Sequence, residues 1–387
     1  MSSLPIPNAQ AQAQSQQLVT LIQNKICENK GWLSFADFMQ AALYTPGLGY
    51  YSGGAKKFGI GGDFVTAPEI STLFGQALAN QVAQVLTESQ GNVLELGAGT
   101  GKLAVDLILA LDNLQLLPQH YYILEVSAHL RQIQKETLCK YLPKTLADTV
   151  VWLDVMPDDF VGVMLGNEVL DAIPVHLVHH TSSGLFERGV AFEGDFVWRD
   201  TPLQEGDLYA FAHALNLPED YLTEISPAAS GLIKSLAQAL KYGAILMIDY
   251  GFSAREYYHP QRNLGTLMCH YQHYAHTDPL INIGLQDITA HVDFTAVASA
   301  GLMAGLEFAG FTSQAQFLMN CGILDLMSQV SVDDMANYAP LAAAAQKLLS
   351  PAEMGDLFKV IALVKQFESP LIGFSSGDKS HTLCANR

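Results

Sequence analysis

Long apolar runs are missing from this chain. No stretch approaches the ~20 consecutive residues that cross a bilayer, so no membrane insertion is expected. Cysteine is sparse and unpatterned: Cys27, Cys139, Cys269, Cys321 and Cys384 are scattered, odd in number and form no C-x-x-C. That spacing argues against a disulfide framework and a cysteine zinc centre and suits reduced thiols. The histidines between 252 and 293 show no H-x-x-x-H beside an acid on a clear helix, so no metal is expected. Positive charge is also scarce, with 20 Lys+Arg against 38 Asp+Glu and a formal net charge of −18. Such a field repels phosphate backbones and anionic membranes, which disfavours nucleic acid; it either favours cationic partners or serves solubility alone. The first basic residue is Lys25, so neither a charged leader nor an Arg-rich transit segment is expected, and a cytoplasmic location is expected with it.

What is present is a compact globular composition, 49% hydrophobic over 387 residues. The chain is organised around Val93-Leu94-Glu95-Leu96-Gly97-Ala98-Gly99-Thr100-Gly101-Lys102-Leu103. An apolar run ends in an acid, breaks into three alternating glycines and resumes with Leu103, Leu107 and Leu111 at helical spacing. This reads as strand, tight turn, helix, with a backbone that a ligand can approach closely. A phosphate-binding P-loop fails, because Leu96 and Leu103 stand where it needs Gly and Ser/Thr. A dinucleotide fingerprint fails on spacing, since Gly101 comes too soon after Gly99. The acid before the first glycine suits a cationic, unphosphorylated ligand. Acid-x-Gly-x-Gly-x-Gly after a strand resembles motif I of the class I S-adenosylmethionine (SAM) methyltransferases.

Along the chain, residues 1–16 lack periodicity and are expected to form a disordered tail, with a helical segment and glycine-rich lid over 17–90. Ser34 is an expected N-cap for a helix from Phe35 to Leu43. The glycine-dense stretch from 47 to 62 reads as a lid over a cofactor or a surface linker, and Asp63 and Thr66 are its candidate cofactor residues. Thr66 with Glu69 forms a capping box for an amphipathic helix through Ile70, Phe74, Leu78, Val82 and Leu86. Tyr121 to Glu125 is the expected second strand, and Glu125 at its end could take both ribose hydroxyls or face solvent. Val150 to Trp152 is the third, with Trp152 either walling an adenine or filling core. The fourth, Val161 to Gly166, delivers Asn167-Glu168-Val169-Leu170-Asp171-Ala172-Ile173-Pro174 to the ligand edge. If a helical turn forms, Glu168 and Asp171 share one face, to bind a cationic nucleophile or merely to cap. Ala244 to Ile248 is the fifth strand, ending in Asp249-Tyr250-Gly251, and the last two lie near Gly305–Phe308 and Phe358–Val364. Helices are expected around 313–328 and 333–348. His291 is a candidate base or a hydrogen-bonded loop histidine.

Beyond motif I, several stretches carry a closer resemblance: Tyr50-Tyr51, Gly62 to Ser71, Glu95 to Gly101, Asn167 to Pro174, Glu224-Ile225-Ser226-Pro227-Ala228, Asp249-Tyr250-Gly251 and Asp287 to Phe294. Together, over about residues 20 to 365, they resemble the MidA family. One departure is Met268 to His276, where the family often carries basic residues and this chain has none. The resemblance implies a Rossmann-like class I methyltransferase sheet in an α/β fold, mostly parallel with the last strand antiparallel. The methyltransferase domain would span 91–365, with insertions at about 175–225 and 252–350 and a C-terminal tail over 366–387. The implied cofactor is SAM, held by Asp63, Thr66, Glu95, Gly97, Gly99, Gly101, Glu125 and Asn167. The implied activity is methylation of a protein arginine, with a respiratory-complex subunit as the kind of partner the mitochondrial members serve. Glu168, Asp171 and His291 are the candidate catalytic residues, because a guanidinium must lose a proton before it attacks. A non-catalytic assembly chaperone on the same fold is the alternative. A nucleic-acid base methyltransferase would place Asn/Asp-Pro-Pro-aromatic after the fourth strand, where this chain has Asn167-Glu168-Val169-Leu170.

Overall fold

The computed structural model describes residues 4–53 and 66–383. The chain divides into two compact units, one of residues 1–64, 171–230 and 255–291, the other of 65–170, 231–254 and 292–387.

The second unit is built on a twisted sheet. Its strands are β1 (Asn92–Leu96), β2 (Tyr121–Leu124), β3 (Val150–Leu153), β4 (Phe160–Asn167), β5 (Leu240–Phe252), β6 (Glu307–Ser313) and β7 (Phe358–Lys365). Their spatial order is β6-β7-β5-β4-β1-β2-β3. Strands β1 to β5 pair in parallel, while β7 runs antiparallel to both β5 and β6. Val292–Asp293 adds a short parallel pairing at the end of β5. The near-continuous apolar run of β5, with Ala244 to Ile248 all buried, is what a central strand covered on both faces requires. The expected α/β sheet, with its antiparallel last strand, is therefore present.

Helix Thr72–Ser89 covers part of the sheet. Phe74, Leu78, Val82 and Val85 lie at helical spacing and are fully buried in one core with Val93, Val163, Leu246 and Val360. Each such side chain contributes about 1.5–3 kcal/mol by burial. The expected capping box at its start does not form. Thr66 makes no side-chain cap, the first turn Ala67–Ile70 is a separate short helix, and Ser71 caps the long helix by accepting from the Leu73 N–H. The Glu69 carboxylate accepts from the Thr100 hydroxyl instead, so a long-range partner outcompetes the local one. The two late helices resolve into Gln314–Asn320, Ile323–Ser328 and Met335–Leu349. Phe367, Leu371 and Phe374, in the stretch read as a tail, are buried in the same core.

The first unit is antiparallel. Leu33–Ser34, Gly184–Phe192, His176–Thr181 and Tyr221–Ile225 form a sheet extended by Phe196–Pro202. A smaller sheet joins Tyr274–His276, Met268–Tyr271 and Asp287–Thr289. Helices Ala9–Glu28 and Phe35–Tyr44 complete its core through Leu18, Ile22, Phe35 and Phe38. Ser34 caps the second helix, as its position predicted. The first helix begins at Ala9, capped by Asn8, inside the stretch read as a disordered tail. Its polar Gln-rich face hid the helix from a periodicity argument.

Gly162 in β4 has φ +126°, and a Cβ there would fall on the Asn92 carbonyl of β1. Gly162→Ala is therefore expected to destabilise the fold by about 2–3 kcal/mol, read as a lower denaturation midpoint in urea.

Candidate active site

Parallel strands leave a sheet on the same edge, so the loops after β1, β2, β4 and β5 gather there. The loop after β1 carries the three glycines. Gly97, Gly99 and Gly101 have φ of +57°, +52° and +83°, the left-handed region that disfavours any side chain. The Gly97 N–H donates to the Leu124 carbonyl (3.0 Å) and the Gly101 N–H to the Ala98 carbonyl (2.7 Å), and helix Lys102–Asn113 follows. Among the described residues, a Cβ on Gly99 would meet no atom within 4 Å. At Gly99 the loop therefore presents bare main chain.

Gln134 holds this loop in place. It is fully buried on helix Ala128–Tyr141, and its Nε2 donates to the Gly99 carbonyl (3.1 Å) and to Glu125 Oε2 (3.0 Å). Its Oε1 accepts from the Trp152 indole (2.9 Å), so Trp152 is a support of this cluster. The signal was present in the sequence. Leu130, Gln134 and Leu138 form one buried stripe at i, i+4 and i+8, and a polar residue in such a stripe needs partners.

The two acids flanking the loop are buried. Glu95 sits within β1, 3% exposed, and its Oε2 accepts from the Tyr121 hydroxyl at 2.7 Å. Burial raises its pKa to about 7, with Tyr121 opposing the shift and Glu125 adding to it. Glu125 follows β2, and its Oε1 accepts from the Ser127 N–H at 2.9 Å. Burial raises its pKa too, against hydrogen bonds from Ser127 and Gln134.

The loop after β4 lies beside the glycine loop. Leu96 of β1 pairs with Gly166 of β4, and a Cβ on Gly97 would stand 3.3 Å from a Val169 methyl. Asn167 ends β4; its Nδ2 donates to Glu168 Oε1 (3.1 Å), while its Oδ1 is buried with no hydrogen-bond partner among the described residues. Glu168 has φ +55°, a conformation that costs a residue with a side chain about 1–2 kcal/mol. That corrects one expectation: the helical turn that would put Glu168 and Asp171 on one face does not form.

Of the other sequence candidates, Asp171 and His291 belong to the first unit. The Asp171 carbonyl accepts from Ala290 N–H (3.0 Å), and the His291 N–H donates to the Thr266 hydroxyl (3.1 Å). Thr66 precedes the short helix Ala67–Ile70. Asp63 lies outside the described residues, as do residues 54–62 of the expected lid. Glu224 is a structural clamp: its carboxylate accepts from the Thr266 and Leu267 N–H groups and from the Thr266 and Tyr257 hydroxyls. Tyr51, half-buried, donates to Oδ1 of the buried Asp287 (2.9 Å), a pair that no spacing argument revealed.

The sheet order, the glycine loop and the polar edge define the class I methyltransferase architecture. Residues 74–312 match the model of a family of S-adenosyl-L-methionine-dependent methyltransferases, and this chain belongs to that family. A Burkholderia thailandensis protein described as a likely methyl transferase, solved with S-adenosyl-homocysteine bound, is 48% identical with a TM-score of 0.95, covering 98% of this chain and 100% of that one. Among curated proteins, the human protein arginine methyltransferase NDUFAF7, mitochondrial, is 28% identical, covering 87% of this chain and 81% of its own length. The zebrafish (Danio rerio) protein of the same name is 28% identical, covering 86% and 84%. These relatives are named as mitochondrial, which overturns the cytoplasmic expectation. That expectation rested on scattered cysteines and a late first basic residue, neither of which specifies a compartment. Among the described residues, no helix is long and apolar enough to cross a membrane.

The residues present fit the family's cofactor: among the described residues, a glycine turn open at Gly99, an acid closing β2 and an unpartnered amide oxygen at the end of β4. Gly99→Val should lose S-adenosyl-homocysteine binding, since a β-branched residue resists positive φ and would occupy the open side of the loop; isothermal titration checks this. The Glu95 carboxyl yields a pH prediction. Its folded pKa lies above the unfolded value, so its contribution is complete below about pH 4.5 and is lost as pH rises through about 7. The stability of Glu95→Gln relative to the unsubstituted protein should therefore rise between pH 5 and 8, by up to about 3 kcal/mol, in denaturant melts run across that range.

Proposed function

We propose that this chain transfers a methyl group from SAM to an arginine of a protein substrate, with Glu168 binding the guanidinium and taking its proton. The observation that carries the reading is the shared edge of β1 and β4, where the glycine turn, open at Gly99 among the described residues, adjoins the turn on which Glu168 stands at positive φ. The name of the mitochondrial relatives, protein arginine methyltransferase, supports the substrate class.

SAM supplies a methyl carbon activated on a sulfonium. The chain's contribution is mostly placement, because an in-line displacement is limited by alignment. Gly97, Gly99 and Gly101 let the main chain approach the cofactor, with Glu125 and Asn167 on either side as its polar contacts. Thr66, at the start of the short helix Ala67–Ile70, is a further cofactor contact in this reading. An arginine guanidinium is charged and poorly nucleophilic at neutral pH. The Glu168 carboxylate draws the cation in, concentrates charge away from the attacking nitrogen and accepts the proton that must leave. The net charge of −18 suits recruitment of a basic protein segment, and a respiratory-complex subunit is the proposed partner class.

Tritiated SAM added to a lysate from a deletion strain, with the purified chain, should label a discrete protein band whose hydrolysate contains methylated arginine. Glu168→Gln should keep S-adenosyl-homocysteine affinity and lower labelling by about 100-fold or more. Full labelling by that variant removes Glu168 from the chemistry. A thermal shift with SAM but no labelled protein favours the chaperone alternative.

A further inference from the structure

Asp249, at the end of β5, is fully buried, and both of its carboxylate oxygens are engaged. Oδ2 accepts from the N–H of Val169 (3.1 Å) and of Leu170 (2.8 Å), and Oδ1 accepts from the N–H of Tyr250 (2.9 Å). One residue earlier on β5, the Ile248 carbonyl accepts from the N–H of Glu168 (2.9 Å). Three successive N–H groups after β4 thus turn towards β5. This follows from register: Asn167 pairs with Ile248, so Asp249 is the first β5 residue beyond the stretch paired with β4, while on its other side it still pairs with Lys359 of β7. Consecutive N–H groups converging on one side form a small anion cradle, and charge-assisted bonds to a carboxylate are stronger than those to a neutral acceptor. Here the anion is part of the protein. The same bonds hold Glu168 at its positive φ.

We propose that Asp249 is a positioning residue for methyl transfer: its carboxylate fixes the 167–170 turn and thereby sets where Glu168 presents its side chain at the shared edge. The proposal rests on the role assigned to Glu168 above. Asp249 acts through hydrogen-bond polarity. Each carboxylate oxygen is an acceptor, whereas an asparagine offers one acceptor oxygen and one NH2 donor. Whichever way the amide is turned, Asp249→Asn sets that NH2 against an N–H, either of Tyr250 or of Val169 and Leu170. The substitution conserves volume and leaves no cavity, so its effect isolates the acceptor pattern.

The test uses the full-length chain with Asp249→Asn, Glu168→Gln and the double variant. Asp249→Asn should melt cooperatively, bind S-adenosyl-homocysteine within about fivefold of the unsubstituted affinity and lower the initial rate of tritium transfer from SAM into the lysate band by about tenfold or more. The double variant should be no slower than Glu168→Gln alone, within about twofold, because two residues acting through one turn do not add. Hydrogen exchange should quicken about tenfold or more in peptides covering 167–171 and stay unchanged over 72–89. Additive rate losses, or unaltered exchange over 167–171, overturn the proposal. If Glu168→Gln alone keeps the full rate, the catalytic reading of Glu168 fails and the positioning role falls with it; quickened exchange would then report a purely structural clamp. If Asp249→Asn does not fold, the unsubstituted chain decides. Its Val169 and Leu170 amides lie outside any helix or strand, and fast exchange at both would rule the clamp out.

Discussion

The parallel pairing of β1 with β4 is the constraint on which the site depends. Leu96 and Gly166 lie in register, so both strands end together and their loops must leave on one side. Without that pairing, the glycine turn and the Asn167–Leu170 turn would be two unrelated loops. The close approach of Gly97 to Val169 follows from it, and so does the place of the turn that carries Glu168. Glycines within the sheet keep the pairing tight: Gly162 and Gly243 stand side by side across β4 and β5, where a Cβ on Gly243 would fall on the Gly162 carbonyl.

Around this edge, buried polar groups do the positioning. Gln134 joins the glycine loop, Glu125 and Trp152, and Asp249 gathers the amides that follow β4. Each is almost wholly removed from water, where a hydrogen bond is stronger and an unmade one more costly. Such groups narrow the loops to one conformation more sharply than apolar contacts would, because a small shift strands a donor or an acceptor. The loops can therefore be short, uncovered and still well defined, as a displacement reaction that depends on alignment requires.

Local rules succeeded wherever the deciding interaction was local. Ser34 caps the helix that follows it, as its position indicates, and Ser226 and Asp293 cap theirs in the same way, because a side-chain oxygen reaches an N–H two or three residues on. Val175 to Asp200 alternates in sequence, and the stretch forms antiparallel strands for an equally local reason, since period two puts one face inward. They failed where a distant group competed. Glu69 met Thr100 in place of its own helix end, and Glu224, which the sequence places just before a cap, became a clamp on Thr266 and Leu267. Only the first turns of helix Ala9–Glu28 were read as tail, because its apolar face begins late, at Leu18, and those polar turns carry no periodic signal.

By itself, the sequence determined the strand–turn–helix unit, the three glycines that only a left-handed backbone explains, the parallel α/β sheet and the polar segment at the end of its fourth strand. These are periodicities and steric exclusions, and they belong to neighbouring residues. Tertiary structure alone decided that Glu168 stands at positive φ on a turn rather than on a helical face shared with Asp171, that Glu95 is buried against Tyr121, and that Asp249 serves the loop of another strand. Those outcomes turn on strand register and on which buried acceptor meets which N–H, and both are set by partners up to 80 residues apart along the chain.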